Sequence, residues 1–252
     1  MFEITGGFDQ LPKAFLKFVG DHITYNARVN RVDHDSQSVT AQYTSAAGEE
    51  ITVTGDVLLN TATATSTAFI EFNPRLPESK NAAIRNVHYI AATKIVLVFD
   101  RPFWEDEGIF GGHSTTDLPS RMIFYPSHRF PSGLGVLLAS YTFSDDSAKF
   151  LGRTNTEVKL SCLNDLAKIH GDYIRQLYRP DLGQVKRWSV DPYALGAFVK
   201  FKPYQLRYHD ELGRPHHNLY FAGEHTELSH GWIDTSMRSA IKVAVCINQN
   251  GD

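Results

Sequence analysis

The reading of this chain turns on Tyr220-Phe221-Ala222-Gly223-Glu224-His225-Thr226 and the nearby His230-Gly231-Trp232-Ile233-Asp234-Thr235-Ser236-Met237. Leu219 to Gly223 is an apolar run of strand length, and Ile233 to Ile247 repeats small and apolar residues at helical spacing. The stretch therefore reads as buried strand, loop and helix. Asp234 is expected to cap the helix, accepting hydrogen bonds from orphan N–H groups of its first turn. A helix start carries about half a positive charge, so this layout suits an anion. Glu224, at the strand end, can accept two hydroxyls of a polyol, and Gly231 lets a planar group approach the backbone. The N–H groups of Asp234, Thr235 and Ser236 point outward from the helix start.

Composition narrows the classes around that motif. Of 252 residues, 42% are hydrophobic, enough for one large domain or two small ones. Charged residues make up 21% and the net charge is −3, which argues against a nucleic-acid surface, a disordered tail or a polybasic anchor. Apolar runs such as Lys94 to Phe99 are strand-sized, so no membrane span is expected. Cys162 and Cys246 fit neither a disulfide framework nor a zinc motif and read as buried thiols. The opening Met1-Phe2-Glu3-Ile4-Thr5-Gly6-Gly7 lacks the features of a secretory signal.

Upstream, a Gly-Gly turn precedes a helix with Leu11, Phe15 and Phe18, ending at Gly20. Alternation predicts a strand over His22–Asp33, and Val39–Thr44 with Glu50–Thr54 reads as a hairpin. Asp56 to Thr61 suits a buried parallel strand. Beyond Pro74 and Pro77, strands are expected at Thr93–Phe99, Met122–Tyr125 and Gly135–Thr142. A helix over Thr156–His170 is expected to bury Val158, Leu160, Leu163, Leu166, Ala167 and Ile169. With no internal repeat, the chain divides by interleaving: its first and last segments share a sheet and the middle is inserted.

The sequence resembles the flavin amine oxidases, most closely the L-amino-acid oxidases of the vertebrate and snake-venom type. The resemblance rests on Glu3-Ile4-Thr5-Gly6-Gly7-Phe8-Asp9-Gln10-Leu11-Pro12, Tyr25-Asn26-Ala27-Arg28-Val29, Phe103-Trp104-Glu105-Asp106-Glu107-Gly108-Ile109, Ser114-Thr115-Thr116-Asp117-Leu118-Pro119-Ser120-Arg121, and Gly223-Glu224 through Ser236, in family order. It implies an α/β (α+β) fold: a partial FAD-binding Rossmann-like domain at 1–88 and 212–252, with an inserted mixed-sheet substrate domain at 89–211.

The resemblance also implies roles. Val29 matches a backbone contact to the adenine end of FAD, Glu224 the acid on its polyol chain, and Gly231, Trp232, Ile233, Asp234, Thr235 and Ser236 the segment along the flavin ring, whose N1–C2=O locus faces the helix start. Lys94 matches the lysine that holds a water at flavin N5, and Tyr141 the tyrosine that binds the substrate carboxylate. Trp188 and Trp232 match aromatic walls shared by substrate and cofactor, and Phe198 a side-chain pocket position favouring aromatic or long apolar substrates. Read without the family, Lys94 is a strand lysine reaching solvent, the tryptophans are core aromatics and Tyr141 is an interface residue. Glu224, His225 and His230 are spaced too irregularly for metal ligands.

The family's Gly-x-Gly-x-x-Gly turn, which receives the FAD pyrophosphate, its substrate-clamping arginine and its helical domain find no match here. The chain resembles the C-terminal half of such an enzyme and is expected to retain FAD weakly and not to turn over alone. The full enzyme implied oxidises an L-amino acid with O2 and water to a 2-oxo acid, ammonia and hydrogen peroxide, as a secreted or lysosomal homodimer. Two alternatives stand beside it: part of a monoamine or polyamine oxidase, and a non-catalytic short isoform that acts as a binding module.

Overall fold

A computed structural model describes Ile4 and residues 6–250 of the chain. Glu3 and Thr5, in the first of the family-like stretches, lie outside the described residues. Gly6 and Gly7 turn the chain, with the Gly7 N–H donating to the Ile4 carbonyl at 2.9 Å, and a helix follows over Gln10–Val19 that buries none of its residues.

The strand expected from His22 starts late, at Arg28. Gly20–His22 forms a 3-10 turn and Asn26 takes a left-handed φ of 55°, so the alternation before Arg28 belongs to a turn. Strands β1 (Arg28–His34), β2 (Val39–Thr44) and β3 (Glu50–Gly55) are antiparallel neighbours. β4 (Leu58–Asn60) leaves that sheet, and β5 (Glu71–Asn73) rejoins it parallel to β1. The helix Glu78–Asn86 packs beneath, placing Ala83 and Ile84 in a core with Val32, Leu219 and Phe221.

The middle of the chain contributes β6 (Tyr89–Ile90), β7 (Ala92–Phe99), β8 (His113–Thr115), β9 (Met122–Phe124), β10 (Gly135–Phe143), β11 (Gln184–Arg187) and β12 (Phe198–Val199). Five of them form a sheet in the order β11-β7-β10-β9-β8. These strands pair antiparallel, with one parallel bridge between Arg121 and Tyr141. One face carries Ile95, Leu97, Leu137 and Ile123 into a second core with the helix Asn155–His170. That helix starts with a capping box: the Thr154 hydroxyl accepts the Glu157 N–H at 3.3 Å, and the Glu157 carboxylate accepts the Thr154 N–H at 2.8 Å.

Two helix expectations are corrected. Leu160 and Ile169 are exposed, while Cys162 and His170 are buried with Val158, Leu163, Leu166 and Ala167; the inward stripe steps from Val158 by four and five residues, so Leu160 falls opposite it. The last helix runs Ile233–Asn250, so Asp234 sits inside its first turn instead of capping it, and its carboxylate accepts from Arg238 Nε at 2.8 Å. Cys162 is buried as expected and Cys246 half-buried, and no disulfide joins them.

β13 (Leu219–Phe221) pairs with β4 in parallel, Leu219 opposite Leu58 and Phe221 opposite Asn60. The first and last segments thus share a sheet, as the interleaved reading expects. No helix among the described residues is long and apolar enough to cross a membrane.

Candidate functional site

Parallel β4 and β13 end at the same edge, where the Asn60 carbonyl accepts the Ala222 N–H at 3.0 Å. Beyond this edge lies a trough of about 820 Å³, lined by Val29 and its neighbours on β1, by Thr61 and Ala62 after β4, and by Phe69 and Tyr193. Clefts outside the carboxyl ends of parallel strands are where α/β sheets receive ligands.

Past the neighbouring strand end, the chain turns at Gly223 and presents Glu224. One Glu224 oxygen accepts the Val199 N–H at 3.0 Å and the other the Gly231 N–H at 3.1 Å. Burial raises the pKa of this carboxyl above the usual glutamate value, and the two N–H donors oppose that rise. Each oxygen keeps a further lone pair. Gly231, at φ 79°, lies so close to Phe198 that a Cβ there would come within 3.3 Å of the ring. Directly after it, Trp232 is 64% exposed and leads into the helix start. The N–H groups of Ile233, Asp234 and Thr235 have no acceptor one turn back, and Ser236 N–H reaches the Trp232 carbonyl at 3.3 Å.

The other face of the five-stranded sheet is half-buried where it carries Lys94, Val96, Tyr141 and Phe143. Lys94 on β7 pairs in register with Tyr141 on β10 and Lys186 on β11. Lys94 Nζ is 4.6 Å from the Tyr141 ring centroid. Burial moves the lysine pKa down and the tyrosine pKa up. Neither Lys94 Nζ nor Tyr141 Oη has a hydrogen-bond partner among the described residues. From Tyr141 an aromatic row continues through Phe143, 4.4 Å away between centroids, to Phe198, another 5.8 Å on. It joins the Lys94–Tyr141 pair to Gly231 and Glu224.

A chain of contacts thus links Lys94, Tyr141, Phe198, Gly231 and Glu224 through Phe143 and Val199. Val29 stands apart in the trough. Trp188 follows β11, its ring 4.7 Å from Lys186 Nζ, and Lys186 pairs with Asp191. Glu224, His225 and His230 form no group able to hold a metal ion among the described residues. His225 is buried behind Gly223, and burial pushes its pKa down to about 4.

Sequence reading missed Phe143, the Lys186–Asp191 pair and Ser239. The Ser239 hydroxyl accepts the Gly223 N–H at 2.8 Å and donates to the Ser236 carbonyl at 2.7 Å, tying the turn to the last helix. Simple alternation from Tyr141 would have found Phe143. Nothing in the local pattern marks Ser239.

The chain belongs to the flavin containing amine oxidoreductases, whose family model matches residues 1–248. It is 45% identical to an L-amino-acid oxidase of Siganus canaliculatus and 40% to one of Bothrops atrox, each over 98% of this chain and over 47% and 49% of the relative. It therefore spans about half the length of the curated relatives it matches. Its fold is similar to cyclohexylamine oxidase from Brevibacterium oxydans (TM-score 0.80, 19% identity, 97% of this chain and 53% of that one) and to putrescine oxidase bound to putrescine (TM-score 0.82, 18% identity, 97% and 53%).

Proposed function

We propose that this chain forms the flavin-facing and substrate-facing parts of an FAD-dependent L-amino-acid oxidase. One observation carries the reading: the Lys94 ammonium and the Tyr141 hydroxyl, neither with a hydrogen-bond partner among the described residues, stand side by side on one sheet face, joined by Phe143 and Phe198 to Gly231 and Glu224. Bound FAD supplies the two-electron oxidation of the amino acid and passes the electrons to O2, giving hydrogen peroxide.

The residues fit such a cofactor. Gly231 has no side chain to hold a flat ring off its backbone, the exposed residues that open the last helix offer N–H groups to an anionic edge, and the spare lone pairs of Glu224 suit polyol hydroxyls. Val29 in the trough serves the adenine end. Tyr141 Oη donates to the substrate carboxylate, while Lys94 Nζ orients a water at the reacting centre. Trp188 and Trp232 wall the substrate, and Phe198 lines its side-chain pocket. In this reading residues 1–88 and 212–252 bind FAD and 89–211 bind substrate, in a secreted or lysosomal homodimer.

The test is peroxide release by the full protein carrying this sequence, supplied with L-phenylalanine or with its decarboxylated amine. The amino acid is expected to turn over and the amine not. Turnover of the amine alone would replace this reading with a monoamine or polyamine oxidase.

A further inference from the structure

Strand β10 changes parity half-way along. Gly135 to Leu138 run opposite Phe99 to Val96, whereas Ser140 to Phe143 run opposite Ile95 to Ala92, so Ala139 is an extra residue. The register against β9 shifts in the same interval. One inserted residue sends every later side chain to the other face. Before it, Gly135 and Leu137 are the buried residues; after it, Ser140 and Thr142 are buried and Tyr141 and Phe143 half-exposed. β7 alternates without a break from Thr93 to Leu97, with Thr93, Ile95 and Leu97 buried and Lys94 and Val96 half-buried. Without the bulge, Tyr141 would stand opposite Thr93 on the Ile95 side, and Ser140 would stand beside Lys94.

A buried polar chain sits at the bulge. The Ser140 hydroxyl donates to the Ser120 carbonyl at 2.9 Å, and the Ser120 N–H and hydroxyl donate to Asp165 Oδ2 at 3.1 and 2.8 Å. Ser120 and Ser140 are 0% exposed and Asp165 is 3% exposed, on the helix that packs against the core face. The other Asp165 oxygen lies 3.7 Å from Lys168 Nζ. A carboxylate in that layer is unfavourable unless its oxygens are hydrogen-bonded, so the Ser120 turn is held where the acid can be satisfied. The next residue, Arg121, bridges Tyr141 and is gripped at 2.9 and 3.1 Å by Asp146.

We infer that Asp165, acting through Ser120 and Ser140, is a positioning residue that pins the Ala139 bulge and thereby turns Tyr141 onto the Lys94 face. Its consequence for catalysis rests on the proposed role of Tyr141.

The placement is read without cofactor. In flavin-free protein, tetranitromethane is expected to nitrate Tyr141 severalfold more slowly in Ser140→Ala and Asp165→Asn than in wild type, with the exposed Tyr204 as internal standard. Unchanged Tyr141 nitration in both variants overturns the inference. The consequence is read by calorimetric binding of benzoate to the FAD-loaded protein. Ser140→Ala is expected to weaken benzoate roughly fivefold, and to add nothing in a Tyr141→Phe background, because coupled neighbours are not additive. Additive losses overturn the inference. Wild-type benzoate affinity in Tyr141→Phe alone overturns the carboxylate role of Tyr141, and the nitration result then decides the inference by itself.

Discussion

Lys80 Nζ stands 3.9 Å from the centroid of the Phe221 ring, on the strand that leads to Glu224. The lysine is 1% exposed and donates to the carbonyls of Glu211 and Leu212, so it joins the helix Glu78–Asn86 to the turn His209–Gly213 beneath the strand. Burial pushes its pKa from 10.5 down to about 8, with the nearby Glu211 charge pulling the other way.

That shift predicts a pH dependence of stability. Between about pH 8 and 10.5 the unfolded chain keeps a proton on Lys80 that the folded chain has released, so the contribution of Lys80 to stability rises with pH across that window, against the opposite contribution of buried Cys162, whose pKa burial pushes up to about 12. The gain is on the order of 3 kcal/mol, and Lys80→Met is expected to remove it. Denaturant unfolding of both proteins at pH 7 and pH 10.5 checks this; equal pH responses would refute it.

Glu224→Gln keeps the size of the side chain but turns one acceptor into an amide donor facing a backbone N–H. Losing the bond to Val199 or Gly231 is expected to cost about 1–3 kcal/mol. Flavin absorbance that survives gel filtration after purification with excess FAD is expected to fall with it. Wild-type unfolding and flavin content together would count against the role given to Glu224.

Lys94→Met removes a desolvated ammonium that has no acidic partner among the described residues, so the thermal midpoint is expected to hold or rise. In the full protein carrying this sequence, peroxide release from L-phenylalanine is expected to drop by about a hundredfold, the scale of a lost group that positions a water at the reacting centre. A variant with wild-type turnover would make Lys94 an ordinary strand lysine.

Gly231→Ala and Gly48→Ala impose similar backbone strain, at φ 79° and 82°, but only the former places its Cβ against a ring. Each is expected to lose about 1–2 kcal/mol through strain, and Gly231→Ala more because Phe198 must move. Equal losses on unfolding would show that Phe198 yields freely.

Much of the fold was legible because local chemistry dictates it. The β2–β3 hairpin, the parallel β4 and β13, and the helix ending at His170 follow from apolar periodicity and turn residues. Misreadings came at element ends, where a residue or two decides the outcome. Asp234 fell two positions inside the helix it was expected to cap, and the strand expected from His22 began at Arg28, after Asn26 takes a left-handed φ.

From the sequence alone came the order of the elements, the strand-end acid and the resemblance that singled out Lys94 and Tyr141, since these depend on neighbours a few residues apart. Only the tertiary structure could show that Glu224 bonds Val199, that Phe143 touches Phe198, and that a buried Asp165 reaches the turn behind Tyr141. Such contacts join residues 25 to 55 positions apart. They arise when sheets close over a core, and a sequence pattern of period two or 3.6 carries no record of which distant face each side chain meets.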